Sequence, residues 1–174
     1  MEDNLIIRVA TSADAAACLD IYAPFVLGTA VTSELEVPGL NEFAERIRTT
    51  VEHYPYLVAV LDGEVVGYSY ARPFKRRAGY AGSVEVSVYV NPAVHGHGIG
   101  RALYQELDAR LARQDVSNLY AYVACSPADD DAYLTDASRC FHKCMGYRQI
   151  GYLTGCFHKF GRAYDVALME KLLS

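Results

Sequence analysis

The 174-residue sequence has no continuous apolar run of the length that a membrane-spanning helix needs. A helix crosses the hydrocarbon core of a bilayer with about 20 mostly apolar residues, so we expect no membrane contact. Residues 1–8 carry acidic side chains where a secretory signal peptide would have a basic start and an apolar core. We therefore expect a cytoplasmic protein.

Basic charge is also scarce, since the net charge is −5. A protein that binds nucleic acid usually presents a basic surface to the phosphates, so we expect no nucleic-acid partner. The local exception is a basic loop of Arg72, Lys75, Arg76 and Arg77.

The cysteines lack the pattern of a disulfide framework. There are five of them, an odd number, and none forms a Cys-x-x-Cys pair. This pattern favours reduced intracellular thiols. Cys140 and Cys144 lie one helical turn apart with His142 and His158 nearby, which leaves a metal site open, but we favour buried thiols and expect no metal.

The most informative stretch that is present covers residues 84–107, VEVSVYVNPAVHGHGIGRALYQEL. Valines at every second position predict a strand with two different faces, which Asn91 and Pro92 end. Three alternating glycines follow, Gly96, Gly98 and Gly100. An apolar residue then recurs every four positions, which predicts a helix. That stripe consists of Ile99, Leu103, Leu107 and Leu111.

Glycines at a helix N-terminus predict an anion-binding turn. The first turn of a helix has free N–H groups and a partial positive charge, and glycines let a phosphate approach the backbone. Arg101 and His97 would add positive charge. A P-loop is excluded because Gly100 is not followed by Lys-Ser or Lys-Thr, and a dinucleotide fingerprint would need glycine at the position of Arg101.

The rest of the chain predicts an α/β fold with a mixed sheet and helices on both faces, in one domain of residues 1–174. The predicted order is β, α, α, β, β, β, α, β, α, β, β. Strands are expected at 5–9, 56–61, 64–71, 84–90, 118–125, 147–153 and 164–170. Helices are expected at 11–22, from 40 to about 48, after the glycines, and from 135 or 136 to 145. We interpret the acidic run of Asp129, Asp130 and Asp131 as solvated.

The glycine stretch resembles motif A of the GCN5-related N-acetyltransferases (GNAT), Gln/Arg-x-x-Gly-x-Gly/Ala, with His95 in place of the first residue. Within that superfamily the chain is most similar to the phosphinothricin and methionine sulfone or sulfoximine N-acetyltransferases. The segments that carry the resemblance are YPYLVAVLDGEVVGYSYARPF, VEVSVYVNP, HGHGIGRALY, FHKCMGY and FHKFGRAYDV. The resemblance implies the GNAT fold and acetyl-CoA as co-substrate.

The resemblance also implies where acetyl-CoA binds. The strand before the glycines would offer its edge to the peptide-like pantetheine arm, and the glycine turn would hold the pyrophosphate. Asp136 and Ser138 stand at the positions where the family has an asparagine and a serine. The asparagine of the family is therefore either replaced by Asp136 or displaced in this sequence. The expected contacts are Val88, Tyr89, Val90, His95, Gly96, His97, Gly98, Ile99, Gly100, Arg101, Asp136 and Ser138.

Two residues are candidates for proton transfer. Glu85 is an acid in an apolar strand, where burial would raise its pKa toward that of a useful base for a protonated amine. A pairing of Glu85 with an arginine, or an exposed position, stays open. The resemblance supports Glu85 and adds His142, four residues before Gly146, as a donor to the departing thiolate. A packed helix histidine is the alternative.

The acceptor is expected to be a small amino-acid-like amine. Arg72, Lys75 and Arg76 would bind its carboxylate, unless they are only solvated. Further candidates for the wall of its site are Phe25, Tyr80, Phe157 and His158. Transfer to a peptide, protein or polyamine, and a non-catalytic acyl-CoA sensor, remain alternatives.

The family that the chain resembles often forms dimers, so we expect a homodimer. The apolar C-terminal strand with Val166, Leu168 and Met169 would contribute to the interface.

Overall fold

The computed structural model describes residues 4–128 and 130–173. Seven strands form one mixed sheet with the order β1-β2-β3-β4-β5-β7-β6. The strands are β1 (Leu5–Val9), β2 (Tyr56–Leu61), β3 (Glu64–Pro73), β4 (Ser83–Val90), β5 (Asn118–Cys125), β6 (Arg148–Lys159) and β7 (Arg162–Leu172). The helices are α1 (Ala15–Gly28), α2 (Leu40–Val51), α3 (Ile99–Ala112) and α4 (Ala137–Cys144). The predicted fold class and element order are confirmed.

Helices cover both faces of the sheet. On one face α3 packs its apolar stripe, including Leu107, on the buried side chains of strands such as Val86. On the other face α1 and α2 enclose an aromatic layer that contains Tyr22, Phe43 and Tyr68. The sheet therefore separates an aliphatic core from an aromatic one.

Helix α1 is longer than the pattern predicts. The sequence placed its end near Tyr22 because Pro24 follows, but the helix continues through Pro24 to Gly28. A proline removes one backbone hydrogen bond inside a helix, and packing can offset that loss. Val26 lies beyond the proline and is only 1% exposed, which supplies such packing.

Strands β6 and β7 are also longer than predicted. We expected a loop over 155–161, whereas β6 runs to Lys159 and β7 starts at Arg162. Irregular pairing between Leu153 and Phe157 absorbs the extra residues. Gly155 has φ +57° at this irregularity, a conformation that glycine adopts at little cost.

The acidic run is not simply solvated. Asp130 is exposed, but the side chain of Asp131 is only 2% exposed. Asp131 accepts hydrogen bonds from Ser126, the Tyr133 backbone N–H, Arg162 and Tyr164. Asp129 lies outside the described residues. Asp131 thus joins the segment after β5 to β7, and the solvated interpretation is wrong for this residue.

The feature that shapes the site is the parting of β4 from β5. These parallel strands pair only over 83–85 and 118–120. Beyond them β4 stays bonded to β3 as far as Val90, and β5 stays bonded to β7 as far as Cys125. A V-shaped opening results, with one edge of β4 unpaired.

Close packing of α3 on β3 requires a glycine at position 67. A Cβ atom there would lie 3.1 Å from the Tyr89 carbonyl oxygen and 3.3 Å from Leu103 Cδ1. We expect Gly67→Ala to lower the free energy of unfolding by about 1–3 kcal/mol, because the backbone or helix must shift. Urea denaturation measures this.

Gly79→Ala is the control, since a Cβ atom at Gly79 meets no atom within 4 Å. An equal loss of stability in both variants would contradict the packing argument.

Candidate active site

A cavity of about 580 Å³ lies at the opening between β4 and β5. It is bounded by β4, the glycine turn, the start of α4 and the chain that follows α1. Its walls include Val88, Tyr89, Val90, His95, Gly96, Gly98, Ile99, Gly100, Arg101, Ser138 and Phe25. One strand edge and one helix N-terminus therefore face the same space, which we call the cofactor cavity.

The glycine turn presents backbone N–H groups to one end of the cofactor cavity. Gly98 is the N-cap residue of α3 with φ +77°, and Gly96 has φ +86°. No acidic side chain lies in the first turn of α3, so the positive end of the helix dipole is not neutralised there. This end of the cavity can bind a phosphate group.

Gly100 allows α3 and α4 to approach each other beneath the cavity. A Cβ atom at Gly100 would lie 3.2 Å from the Phe141 ring. The third glycine of the motif therefore has a packing role, whereas Gly96 and Gly98 have conformational ones.

The two histidines of the motif fold back onto the turn. His95 Nε2 lies 2.9 Å from the Val90 carbonyl oxygen, so this nitrogen donates. His97 Nδ1 lies 3.2 Å from the Val94 and His95 carbonyl oxygens. His95 thus ties the turn to the end of β4 and occupies a backbone acceptor at the unpaired edge.

A second cavity of about 490 Å³ lies on the α1/α2 side of β4, and we call it the acceptor cavity. It contains Glu85, Ser87 and Arg72, and Phe157 lines its far wall. Val31 and Tyr89 line both cavities. The two spaces therefore lie side by side at the middle of β4, with these residues between them.

Glu85 and Arg72 form an ion pair in the acceptor cavity. They are cross-strand neighbours on β4 and β3, and Arg72 Nη2 lies 2.5 Å from Glu85 Oε1. The Glu85 side chain is 16% exposed and that of Arg72 is 56% exposed. The arginine partner that the sequence left open for Glu85 is therefore present.

The wall between the cavities is the segment 29–34, which follows α1. Thr32 is fixed at two points: its hydroxyl lies 2.7 Å from the Tyr22 hydroxyl, and Lys159 Nζ donates to its carbonyl at 3.0 Å. Lys159 is 5% exposed, and burial lowers its pKa. Arg46 holds Glu34 at 2.6 Å. Distant elements thus position this wall.

The similarity to known proteins extends over nearly the whole chain. Residues 7–168 match the family model of the acetyltransferase (GNAT) domain. The chain belongs to the GNAT family. It is therefore an N-acetyltransferase by family, as the resemblance predicted.

Two relatives and one solved structure show how far the similarity extends. A phosphinothricin N-acetyltransferase of Streptomyces coelicolor is 32% identical, covering 96% of this chain and 95% of the relative. An L-methionine sulfoximine/L-methionine sulfone acetyltransferase of Salmonella typhimurium is 31% identical, covering 95% and 93%. A GNAT phosphinothricin acetyltransferase from Sinorhizobium meliloti, solved with acetyl-CoA, has a TM-score of 0.88 and 32% identity, covering 98% and 89%.

In this GNAT domain, two residues predicted to contact the cofactor, Asp136 and His97, do not line the cofactor cavity. The exposed carboxylate of Asp136 pairs instead with Arg139 at 2.6 Å, and the neighbouring Thr135 lines the cavity. His97 bonds to its own turn. The other predicted contacts do line the cavity, and their role in binding stays a prediction.

His142 is turned into the core and lines neither cavity of the GNAT site. It is 5% exposed, and its Nδ1–H donates to the Ser138 carbonyl at 2.8 Å. Its Nε2 then accepts from the Tyr104 hydroxyl at 3.0 Å. Both nitrogens are bonded inside the protein, so this geometry supports the packed alternative rather than direct proton donation to a thiolate.

Of the basic loop, only Arg72 lines a cavity, and Lys75 and Arg76 lie away from both, as does part of the predicted acceptor wall. Lys75 stacks on Phe74 and, like Arg76, is exposed. Tyr80 also packs against Phe74, and His158 is exposed on the strand that carries Phe157. Phe25 lines the cofactor cavity rather than the acceptor cavity.

Other lining residues could not be singled out from the sequence. They lie on the segments after α1 and before α4, where no motif marks them, and in the FHKCMGY segment, in which the family resemblance singled out only His142. They are Thr29, Tyr133, Leu134, Phe141, Cys144 and Met145. Cys140 and Cys144 are exposed, so the expectation of buried thiols is wrong for both.

Over residues 4–128 and 130–173, no cluster of three or more metal-binding side chains occurs. In the same ranges, no helix is long and apolar enough to cross a bilayer.

Burial lowers the pKa of His142 below its ordinary value of 6.5. The unfolded chain then binds the proton more readily, so the folded state loses stability as the pH falls through 6.5. We expect the drop in the free energy of unfolding between pH 7.5 and pH 5 to be smaller in His142→Gln than in the wild type. Urea denaturation at both pH values measures the difference.

His53→Gln serves as the control for loss of an exposed histidine. If the free energy of unfolding of His142→Gln falls between pH 7.5 and pH 5 by as much as that of the wild type, the buried imidazole does not cause the fall.

Proposed function

We propose that this protein transfers the acetyl group of acetyl-CoA to the primary amine of a small amino-acid-like acceptor, directly and within a ternary complex. The observation that carries the proposal is that the two cavities lie side by side at β4, where Val31 and Tyr89 line both. A thioester in one cavity and an amine in the other would be held side by side. Proximity then supplies much of the rate.

Acetyl-CoA would lie in the cofactor cavity. Its pyrophosphate would bind the N–H groups that follow Gly98, and its pantetheine arm would run along the unpaired edge of β4. Asn91 N–H donates to the Val66 carbonyl on β3, so by alternation Val90 and Val88 direct their backbone groups to the opening. Since His95 occupies the Val90 carbonyl, Val88 is the main contact that we propose.

Glu85 would act as the base. The amine nitrogen attacks the thioester carbonyl carbon, the C–S bond breaks, and the amine proton passes to the Glu85 carboxylate directly or through water. The departing thiolate takes a proton from solvent, because His142 lines neither cavity. Ser87 lies two residues along the same strand face as Glu85, within the acceptor cavity.

Arg72 would bind the acceptor carboxylate. Its guanidinium pairs with Glu85 and is 56% exposed, so a second carboxylate has access to it. An amino-acid acceptor whose carboxylate pairs with Arg72 would free Glu85 from the ion pair. The Glu85 carboxylate would then lie next to the acceptor's amine. Relatives named for phosphinothricin and methionine sulfone support such an acceptor.

We propose that the protein is cytoplasmic. We also propose that residues 1–174 form a single domain. The five cysteines, which are all free, support a reducing compartment.

The test is thiol release from acetyl-CoA with methionine sulfone, methionine sulfoximine, phosphinothricin, common amino acids, polyamines and short peptides. We expect Glu85→Gln to lower kcat by roughly 10²–10⁴-fold with the best acceptor, the typical value of a general base. The loss of kcat should be greatest at low pH, where the amine of the unbound acceptor is protonated.

Glu106→Gln is the matched control, because Glu106 also pairs with an arginine, Arg110, but lines neither cavity. Undiminished kcat across pH in Glu85→Gln would remove Glu85 as the base. Turnover with polyamines or peptides alone would overturn the acceptor class, and tight acetyl-CoA binding without turnover would favour a sensor.

We also propose a homodimer through the sheet face that carries the acceptor cavity. Tyr122 and Leu153 are 39% and 46% exposed, and the half-buried Val166 and Leu168 pair with them across the strands. Several of these apolar residues also line the acceptor cavity. Met169 is fully buried on the opposite face, so it does not belong to this surface.

We expect Leu153→Asp to halve the mass measured by light scattering, because a charge would be buried in the interface. Ile6→Asp, which changes an apolar residue 49% exposed at the opposite sheet edge, should leave the mass unchanged. A wild-type protein with the mass of one chain would overturn the dimer.

A further inference from the structure

A backbone carbonyl in the wall between the two cavities is held by a buried cation. Lys159 Nζ donates to the Thr32 carbonyl oxygen at 3.0 Å, and Lys159 is only 5% exposed. Removing an ammonium group from water costs free energy unless a partner compensates. The hydrogen-bond partner here is a neutral carbonyl rather than a carboxylate. An apolar side chain would avoid this cost, so the arrangement indicates a local role for the charge.

The carboxylate nearest to this cation is engaged elsewhere. The negative charge of Glu34 opposes the lowering of the Lys159 pKa by burial, but Arg46 already binds Glu34 at 2.6 Å. Lys159 Nζ also lies 5.3 Å from the centroid of the Phe160 ring. The direct polar contact of the ammonium group is therefore the Thr32 carbonyl.

That carbonyl determines where the next N–H group points. The peptide bond between Thr32 and Ser33 is trans and planar, so its C=O and N–H groups point in opposite directions. Lys159, which receives the carbonyl, lines neither cavity, whereas Ser33 lines the acceptor cavity. The Ser33 N–H group therefore points away from Lys159, on the residue of this peptide unit that continues along the acceptor cavity.

This N–H group is available to a ligand. Within the part of the chain that the structure describes, the Ser33 N–H donates to no protein acceptor, although groups on either side of it are paired. The Val31 N–H donates to the Thr29 hydroxyl at 3.2 Å, and the Glu34 N–H donates to the Thr32 hydroxyl at 3.3 Å. A polar ligand in the acceptor cavity can use the donor that remains.

The donor is also fixed and strengthened by its surroundings. Thr32 is held at its carbonyl by Lys159 and at its hydroxyl by Tyr22, whose hydroxyl lies 2.7 Å away. A group that is fixed before the ligand arrives binds with a smaller loss of conformational entropy. The ammonium group at the carbonyl end polarises the peptide, which makes the Ser33 N–H a better donor to an anion.

The acceptor cavity also contains the guanidinium group to which we assign the acceptor carboxylate. Arg72 lines this cavity and shares its fork with Glu85. A carboxylate has two oxygens, so a second donor can bind the oxygen that Arg72 does not. Backbone N–H groups form charge-assisted hydrogen bonds to carboxylates, which are stronger than bonds between neutral groups.

From this geometry we infer that the Ser33 N–H group is a second binding donor for the acceptor carboxylate, and that Lys159 is the positioning residue that directs it. The inference rests on the proposed acetyl transfer. It adds a backbone contact and a buried cation to the groups that decide whether an acceptor must carry a carboxylate.

The test compares kcat/KM for the best amino-acid acceptor with that for the amine left when its carboxylate is removed. The wild type should prefer the acceptor with the carboxylate. Ser33→Pro lacks the N–H group and should reduce this preference by roughly 10–100-fold, the change expected when one hydrogen bond to a charged group is lost. The reduction should come mainly from a higher KM for the amino acid, and kinetics with the decarboxylated amine should change little.

Glu36→Pro is the matched control, because it removes an N–H group from the same loop at an exposed residue that lines neither cavity. Its carboxylate preference should equal that of the wild type. Ser33→Ala keeps the N–H group and removes only the hydroxyl, so it separates the two polar groups of Ser33. Thermal unfolding checks that every variant folds.

Lys159→Met tests the positioning role, because it replaces the cation by an unbranched apolar side chain. The carboxylate preference should fall, since the Thr32 carbonyl loses its partner and the peptide can turn. Lys159→Arg retains a cationic donor and should keep more of the preference than Lys159→Met. A wild-type preference in Lys159→Met would overturn the role of Lys159.

Two results would overturn the N–H contact. The first is a carboxylate preference in Ser33→Pro equal to that of the wild type, which would mean that the N–H group binds water instead. The second is an equal loss of preference in Ser33→Ala and Ser33→Pro, which would assign the contact to the hydroxyl.

If the wild type acetylates no amine, the proposed function fails, and calorimetry with methionine sulfone in the presence of CoA then measures the contact. Binding that weakens in Ser33→Pro but not in Glu36→Pro would support the contact. Equal binding by these two variants, or no binding by the wild type, would overturn it.

Discussion

The parting of β4 and β5 is the constraint on which the rest of the structure depends. After three paired positions the two strands follow different neighbours, β3 on one side and β7 on the other. The unpaired edge of β4 leaves peptide groups that need partners, since an unpaired backbone group away from water costs free energy. A side chain such as His95 pairs with one of them, whereas a peptide-like ligand arm can pair with several in series. The glycine turn lies at the end of this edge, so one ligand can use both features.

The alternation of β4 then assigns different tasks to its two faces. Val84 and Val86 are buried against α3, while Glu85, Ser87 and Tyr89 face α1 and α2. Local sequence predicts this division well, because a period of two and a glycine turn before an amphipathic helix are both short-range patterns. The fold class, the order of elements and the anion-binding glycine turn follow from such patterns, whereas the other contacts of the cofactor cavity were expected from the family resemblance.

The acceptor side could be predicted only in part, because it depends on contacts between distant residues. The Arg72–Glu85 pair requires the β3–β4 register, and the wall at Thr32 is fixed by Lys159, which lies 127 positions away. The direction of His142 depends on the rotation of a helix of eight residues, where one position changes which face is buried. Sequence spacing alone contains none of this information. For the same reason, the burial of Asp131 could not be predicted from the run of acidic residues that contains it.

The register of β3 links these two halves of the molecule. A shift by one residue would exchange the faces of a strand, moving Tyr68 and Tyr70 under α3 and small residues under α2. Such a shift is opposed sterically, because α3 approaches β3 so closely at Gly67 that even a Cβ atom would meet Leu103 at 3.3 Å. The small residue that seats α3, and with it the glycine turn, therefore also keeps the tyrosines on the acceptor side. Packing of the cofactor half thus determines which side chains the acceptor half presents.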